Sequence, residues 1–292
     1  MANARAITKR RKAVRNIRKI TQTMQLIATA RYQKCMRRAM ASKPYTQKIT
    51  EMIATLAGRD GEIDHPLLQA NEGVKKSMLL VLTANRGMCG GYNASVLRGA
   101  MTFIRQQKAA GVDTSLEVVG KKGVAYLKFL GQAADRTILD VEDQIEYLRV
   151  AEMADRYMAA YEAGEIASVD VAYTQFVSVG SQVSTVARLL PIEPPETAGD
   201  EPRGGAAPAF EFLPEPELLL KRLIPETVKI RLYQYFNEAI VSEQVARMVA
   251  MKAATDAAGD MIKFLTRRYN RARQGQITLE LADIVGGAAA VE

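Results

Sequence analysis

Proline divides this chain more sharply than any other residue type. Eight of the ten prolines lie between Pro191 and Pro225, none lies between residues 67 and 190, and none follows Pro225. Because proline removes a backbone donor and breaks helix interiors and central strands, this pattern isolates a loop-rich stretch over 191–225. Regular structure is expected on both sides of it.

The outer regions read as long helices. Over residues 3–57, Ile7, Val14, Ile17, Thr21, Met24, Ala28 and Cys35 fall at alternating a and d heptad positions, a narrow stripe of the coiled-coil kind. Arg10 and Arg31 interrupt the d positions, and Pro44 is expected to kink the helix. From Thr227 to about Val285 the pattern resumes, with Met251, Ala254, Ala258, Met261, Leu265 and Ala272 at heptad spacing. A helix of that length reaches on the order of 80 Å, more than a globular domain of this size needs. Its natural partner is the N-terminal helix, giving an antiparallel two-helix rod. Ala253, Ala254, Ala257 and Ala258 are expected to permit close approach, whereas Gly259 and Gly275 weaken the helix locally.

Between the helices the pattern alternates. Ser77–Thr83 reads as a buried strand, followed by a glycine turn and a helix over Asn93–Gln107. Leu116–Val119 is a second strand, Lys121–Leu130 a helix, Thr137–Leu139 a third strand and Asp143–Ala160 a helix. Such alternation predicts βαβ units around a parallel sheet. Val169–Val179 and Gln182–Leu190, separated by Gly180-Ser181, are expected to form a hairpin closing that sheet. The fold class is thus α/β, a long antiparallel coiled coil of terminal helices with an inserted Rossmann-like α/β domain. The expected divisions are a first shaft helix, 1–57, an α/β domain, 58–225, and a second shaft helix, 226–292.

Charge narrows the partners. The first 50 residues hold 14 Lys or Arg and no acid, so the remaining 242 carry a net charge of −6 within a total of +8. A positive arm on a mildly acidic body seeks a polyanion, anionic lipid or an acidic protein surface. The arginine-rich start also resembles a mitochondrial transit peptide, but serine is absent before Ser42 and the pattern runs past the usual length, so it reads as mature structure. Cys35 and Cys89 form no metal-like pair and read as free thiols of an intracellular protein. No apolar run approaches the roughly 18–20 residues that span a bilayer.

Candidate chemistry is sparse. Arg86–Asn93, with its three glycines, follows a strand and opens a helix as phosphate-cradling loops do, but it has neither the P-loop nor the dinucleotide-binding spacing. A tight turn with glycines chosen for positive φ is the better reading. Cys89 near a helix N-terminus could be activated, yet the single histidine, His65, sits in another loop; a small buried thiol is expected. Gly120-Lys121-Lys122-Gly123 reads as a strand end and solvated helix start. Asp140, Glu142 and Asp143 read as acids near a helix start. These residues assemble no catalytic set, no cofactor site and no metal site.

A nucleic-acid binder would interleave its basic residues with stacking aromatics, but the first aromatic is Tyr32. A basic coiled coil bound to nucleic acid is therefore the alternative reading. The other helix adds Lys263, Arg267, Arg268, Arg271 and Arg273.

Four segments carry a resemblance. Ile277–Asp283, followed by Gly287-Ala288-Ala289-Ala290, resembles the C-terminal signature of the gamma subunits of F-type ATP synthases. Ile20–Met24, the Arg86–Asn93 turn, and Ser242–Met248 running into Met251–Asp256 are similar to the same family, in the same order. The likeness is to the bacterial form, with no long insertion of the kind that carries the chloroplast regulatory dithiol. It implies a rotor without an active site. Its terminal helices would enter a ring of alpha and beta subunits, and its α/β domain would stand against epsilon and the ring of membrane c subunits. The complex would lie on the cytoplasmic face of a bacterial inner membrane, which this chain would meet only through its partners. The resemblance places Met24 against an acidic loop of a catalytic subunit. It places Arg273, Gln274, Thr278 and Glu280 at the upper contact with beta, and Phe210–Glu215 near the c ring, where Pro214 departs from the family pattern.

Overall fold

The computed structural model describes residues 4–57, 65–71, 73–192 and 216–289. Its elements are α1 (Ala4–Ala57), β1 (Lys76–Leu82), α2 (Tyr92–Ala109), β2 (Asp113–Val119), α3 (Lys121–Phe129), β3 (Arg136–Ile138), α4 (Tyr147–Glu162), β4 (Ser168–Ser178), β5 (Ser181–Leu190) and α5 (Pro216–Ala289). They form two compact units, residues 1–30 with 247–292 and residues 31–246.

The sheet lies in the second unit, in the order β3-β2-β1-β4-β5. The first four strands are parallel; β5 returns antiparallel to β4 as the expected hairpin. The order of the parallel strands suits a Rossmann-like crossover, in which ligands and turns gather at the carboxyl ends of the strands. Alternation along the strands assigns the faces. Leu79, Val81, Leu116, Val118 and Ala172 point to one side, where they pack with Val96, Leu97 and Ala100 of α2 and Leu127 of α3. Glu117, between two of these, points the other way and accepts bonds from Arg156 and Tyr157 of α4.

The C-terminal parts of the sequence depart from expectation at one end. The helix expected from Thr227 begins at Pro216 and carries Pro225 inside it. Residues 193–215 of the Pro-rich stretch, which include Phe210–Glu215, lie outside the described residues. Pro225 costs a helix interior about 3 kcal/mol. Burial of Ile224, Val228 and Leu232, each 1% exposed or less, offsets that cost, since a fully buried aliphatic side chain contributes about 1.5–3 kcal/mol. α5 also continues through Gly259 and Gly275, and α1 is helical across Pro44.

In the first unit α1 and α5 run antiparallel. Thr255 donates to Thr21 (2.8 Å), Gly259 lies beside the Arg18 guanidinium, and Arg11 sits 4.9 Å over the Tyr269 ring, so positions rise along α5 as they fall along α1. The seam has a different phase from the one expected. Ile7, Val14, Thr21 and Ala28 are buried at every seventh position, but Ile17, assigned to the seam, is 52% exposed. On α5, Met251, Ala258 and Leu265 are buried as expected, whereas Met261 is exposed. The intervening positions fall one residue later, at Thr255, Ile262 and Tyr269, with Arg11, Arg18 and Gln25 flanking the seam on α1. A heptad allows the second position to follow the first by three residues or by four, and here it follows by four. Two causes are visible: the Thr21–Thr255 bond, and long Arg stems that cover apolar surface while keeping their heads in water. Ala253 and Ala257 consequently face solvent.

Candidate functional site

The glycine turn is structural. Gly90 adopts φ 59° and Met88 φ 63°, and Asn93 ties the turn to the strand end by accepting the Ala84 amide (2.9 Å) and donating to Cys89 Sγ (3.2 Å). Cys89, 1% exposed, packs with Ala84, Tyr92 and Ala246, and the Tyr92 hydroxyl donates to the Ala239 carbonyl of α5. The start of α2 therefore faces α5 and is committed to packing.

The second glycine motif is also a packing device. Gly120 adopts φ 95°, and a Cβ there would lie 2.2 Å from the Thr83 carbonyl oxygen. A Cβ on Gly123 would lie 2.5 Å from Thr83 Oγ1, which instead accepts the Gly123 amide at 3.0 Å. His65 is buried, with Nδ1 accepting the Leu67 amide at 3.2 Å. Among the described residues no three His, Cys, Asp or Glu side chains are grouped as metal ligands.

Asp143 has a different place from the one expected. α4 starts at Tyr147, so Asp143 does not serve the helix dipole. Its carboxylate meets Arg31 of α1 (2.5 Å) and accepts Gln244 Nε2 of α5 (2.8 Å). Its carbonyl accepts the Cys35 thiol (3.4 Å). Burial, with the Asp143 charge next in weight, pushes the Cys35 thiol pKa up and keeps it in the donor form. Asp140 pairs instead with Arg149, whose hydrogen bond lowers its carboxyl pKa. Nothing in the spacing of Arg31, Asp143 and Gln244 announces that they meet, since they are more than 100 residues apart in sequence.

Of the positions carried over from the resemblance, Met24, Arg273, Gln274, Thr278 and Glu280 lie in the first unit. Met24 is half-buried on α1. Arg273, Gln274, Thr278 and Glu280 are exposed near the end of α5. Thr278 Oγ1 donates to the Gln274 carbonyl (3.0 Å), and Glu280 accepts Gln276 Nε2 (3.1 Å). Sequence reasoning quoted Ile277, Leu279 and Leu281 within the C-terminal signature but gave no contact role to the apolar residues there. Ile277, Leu279, Leu281, Ile284 and Val285 are 43–69% exposed. After Ala272 the intervening seam positions turn polar, at Gln276 and Asp283, while Ile277, Leu281, Ile284 and Val285 fall off the repeat that Leu279 keeps; that shift is the signal that could have found them.

An antiparallel coiled coil of terminal helices, continuous in sequence with a Rossmann-like body, defines the fold class. The sequence profile described as ATP synthase matches residues 3–291, and the chain belongs to that family. Curated relatives named ATP synthase gamma chain include one from Rhodopirellula baltica, 46% identical with all of both chains covered. Another, from Dehalococcoides mccartyi, is 44% identical, again over both full lengths. A chain of the Euglena gracilis mitochondrial ATP synthase, from a structure titled OSCP/F1/c-ring, has a TM-score of 0.68 at 18% identity, covering 99% of this chain and 94% of that one. A chain from the Tetrahymena thermophila central stalk and c-ring structure has a TM-score of 0.56 at 18% identity, covering 80% of this chain and 99% of that one. The structural likenesses establish the fold, and the full-length sequence relatives establish the family.

Proposed function

We infer that this chain is the central rotor stalk of an F-type ATP synthase, coupling rotation of the proton-driven c ring to conformational change at catalytic sites on the alpha and beta subunits. The observation that carries the reading is the full-length correspondence with ATP synthase gamma chains. The geometry fits the task. Interlocked packing along the Ile7–Thr21 and Thr255–Tyr269 seam resists slipping of the helices, while a charged outer face can turn against acidic neighbours without strong adhesion. Such attraction is screened within about 10 Å at 0.1 M salt. An asymmetric shaft then biases otherwise equal sites towards different states through its differential contacts.

In this reading 1–57 and 226–292 supply the shaft and 58–225 the foot, which meets epsilon and the c ring. Met24 contacts a catalytic subunit, and Arg273, Gln274, Thr278 and Glu280 form the upper contact with beta. The chain is non-catalytic and peripheral, at the cytoplasmic face of a bacterial inner membrane. Among the described residues no helix is long and apolar enough to cross a membrane. The nucleic-acid alternative draws no support from the relatives, and it would require affinity that falls as salt rises.

The test is reconstitution. The pure chain should turn over no ATP and should co-purify with alpha and beta; turnover by the pure chain would remove the reading. Met24→Lys adds a charge at a sliding contact and should lower protons pumped per ATP while hydrolysis continues. An unchanged ratio would release Met24 from its assigned role.

A further inference from the structure

The connection between β3 and α4 is held firmly to the body. Asn85 Nδ2 donates to the carbonyls of Leu139 (3.0 Å) and Val141 (2.6 Å), and Asn85 Oδ1 accepts the Lys121 amide (3.0 Å). Val141 and Ile145 are buried on either side of Asp143. The segment is thus anchored before and after that residue, and the carboxylate projects from a fixed base. Its oxygens serve different helices: Oδ2 meets Arg31 of α1 and Oδ1 meets Gln244 of α5, which is 1% exposed. The Cys35 thiol, one turn beyond Arg31, bonds the backbone of the same residue.

We propose that Asp143 is a torque clasp, a positioning residue that locks both long helices to the α/β body so that they turn with it as one piece. This deepens the rotor reading and rests on it. Each helix makes other contacts with the body, such as Ser242 with the Thr174 carbonyl and Tyr32 with the Phe176 ring. Those contacts hold one helix each. A carboxylate shared between an arginine and an amide transmits displacement of either helix to the other, because moving one arm misaligns a charge-assisted bond in the other. Both side chains of the ion pair are about one-third exposed, so its contribution to folding is small. Its role is in register and stiffness.

The test uses the assembled complex, with a bead on the α/β body and the catalytic ring fixed. Asp143→Ala should raise the angular variance of the stalled rotor, by roughly twofold or more if the coupling it carries is of the usual order. Unloaded ATP hydrolysis should remain intact, and protons pumped per ATP against a gradient should fall. Gln244→Ala, which releases only α5, should give a smaller rise. Exchanging the charges, Arg31→Asp with Asp143→Arg, should recover stiffness that either change alone removes. That rescue separates positioning from simple packing. Wild-type variance in both Asp143→Ala and Gln244→Ala, or no recovery in the exchanged pair, would overturn the clasp. Should Asp143→Ala fail to assemble, Gln244→Ala and the exchanged pair decide alone. Absence of ATP-driven rotation in the wild-type complex would instead refute the rotor reading.

Discussion

The two units bury their residues by opposite rules. In residues 31–246 burial is broad: a five-stranded sheet is covered on one face by α2 and α3 and touched on the other by α4. Charges that enter are paired, as with Glu117 and Arg156 (2.8 Å) or Asp170 and Arg188 (2.9 Å). In residues 1–30 with 247–292 burial is a single seam, and large apolar side chains remain outside it, among them Ile20 at 59% and Leu26 at 64%. A chain that wanted only stability would not leave them there. The difference teaches that the body is specified from within, and the coiled coil by what surrounds it.

The comparison breaks most visibly at Gly120. Replacing it with alanine places a carbon against a backbone carbonyl at a φ that side chains avoid. The expected cost is about 4 kcal/mol or more, from strain plus a clash that the backbone must relieve. Amide hydrogen exchange should report this as lost protection across β1 and β2, with the 247–272 amides protected as before. A loss spread equally over both units would show that the coiled coil depends on the body for its fold.

Matched substitutions sharpen it. Leu79 is fully buried in the sheet core and Leu265 is 5% exposed in the seam. Leu79→Ala should cost about 4 kcal/mol and Leu265→Ala about 2 kcal/mol, the upper and lower parts of the range for this change. The seam can close on a smaller residue by moving one helix, whereas a sheet covered by helices cannot. Local exchange free energies measure both, and equal costs would show the seam to be as tightly packed as the body.

The sequence made the elements legible because their signals are local. Strand alternation, glycine turns and the proline map placed α1 to β5 within a few residues, and the seven-residue repeat of Ile7, Val14 and Thr21 was visible directly. The phase of the intervening seam positions was not, because Ile17 and Met261 satisfy a heptad as well as Arg18 and Ile262 do. Only the partner helix decides between them. Pro225 misled for a related reason, since local propensity argues for a break and long-range burial of Ile224 and Val228 overrides it. At the candidate site, motif similarity supplied Met24 and the 273–280 positions, and the fold then showed the latter to be exposed. Asp143 was read from its neighbours in sequence, whereas its partners come from helices about 110 residues before and 100 residues after it.

The smallest expected effect is an alkaline one, and it should arise in the body alone. Tyr157 is fully buried and donates to Glu117 (2.8 Å); burial first, then the Glu117 charge and hydrogen bond, raise its pKa. Burial, followed by the Glu238 and Tyr235 neighbours, raises that of Tyr173 as well. A raised folded-state pKa means stability that is fully present below the unfolded tyrosine value, near pH 10, and lost as pH rises above it. The loss is about 1.4 kcal/mol per pH unit for each proton that the unfolded chain releases ahead of the folded one. Tyr157→Phe removes one such proton, at a cost of about 1 kcal/mol at neutral pH for the lost hydrogen bond. Its unfolding free energy should therefore fall less steeply than the wild type's between pH 10 and 11. Exchange protection over 247–272, where Tyr269 is the one tyrosine, should carry neither the steep wild-type slope nor the change on substitution. An identical slope in wild type and Tyr157→Phe would mean that this hydroxyl ionises without unfolding the sheet, and the contrast between a sealed body and an open seam would then need another measure.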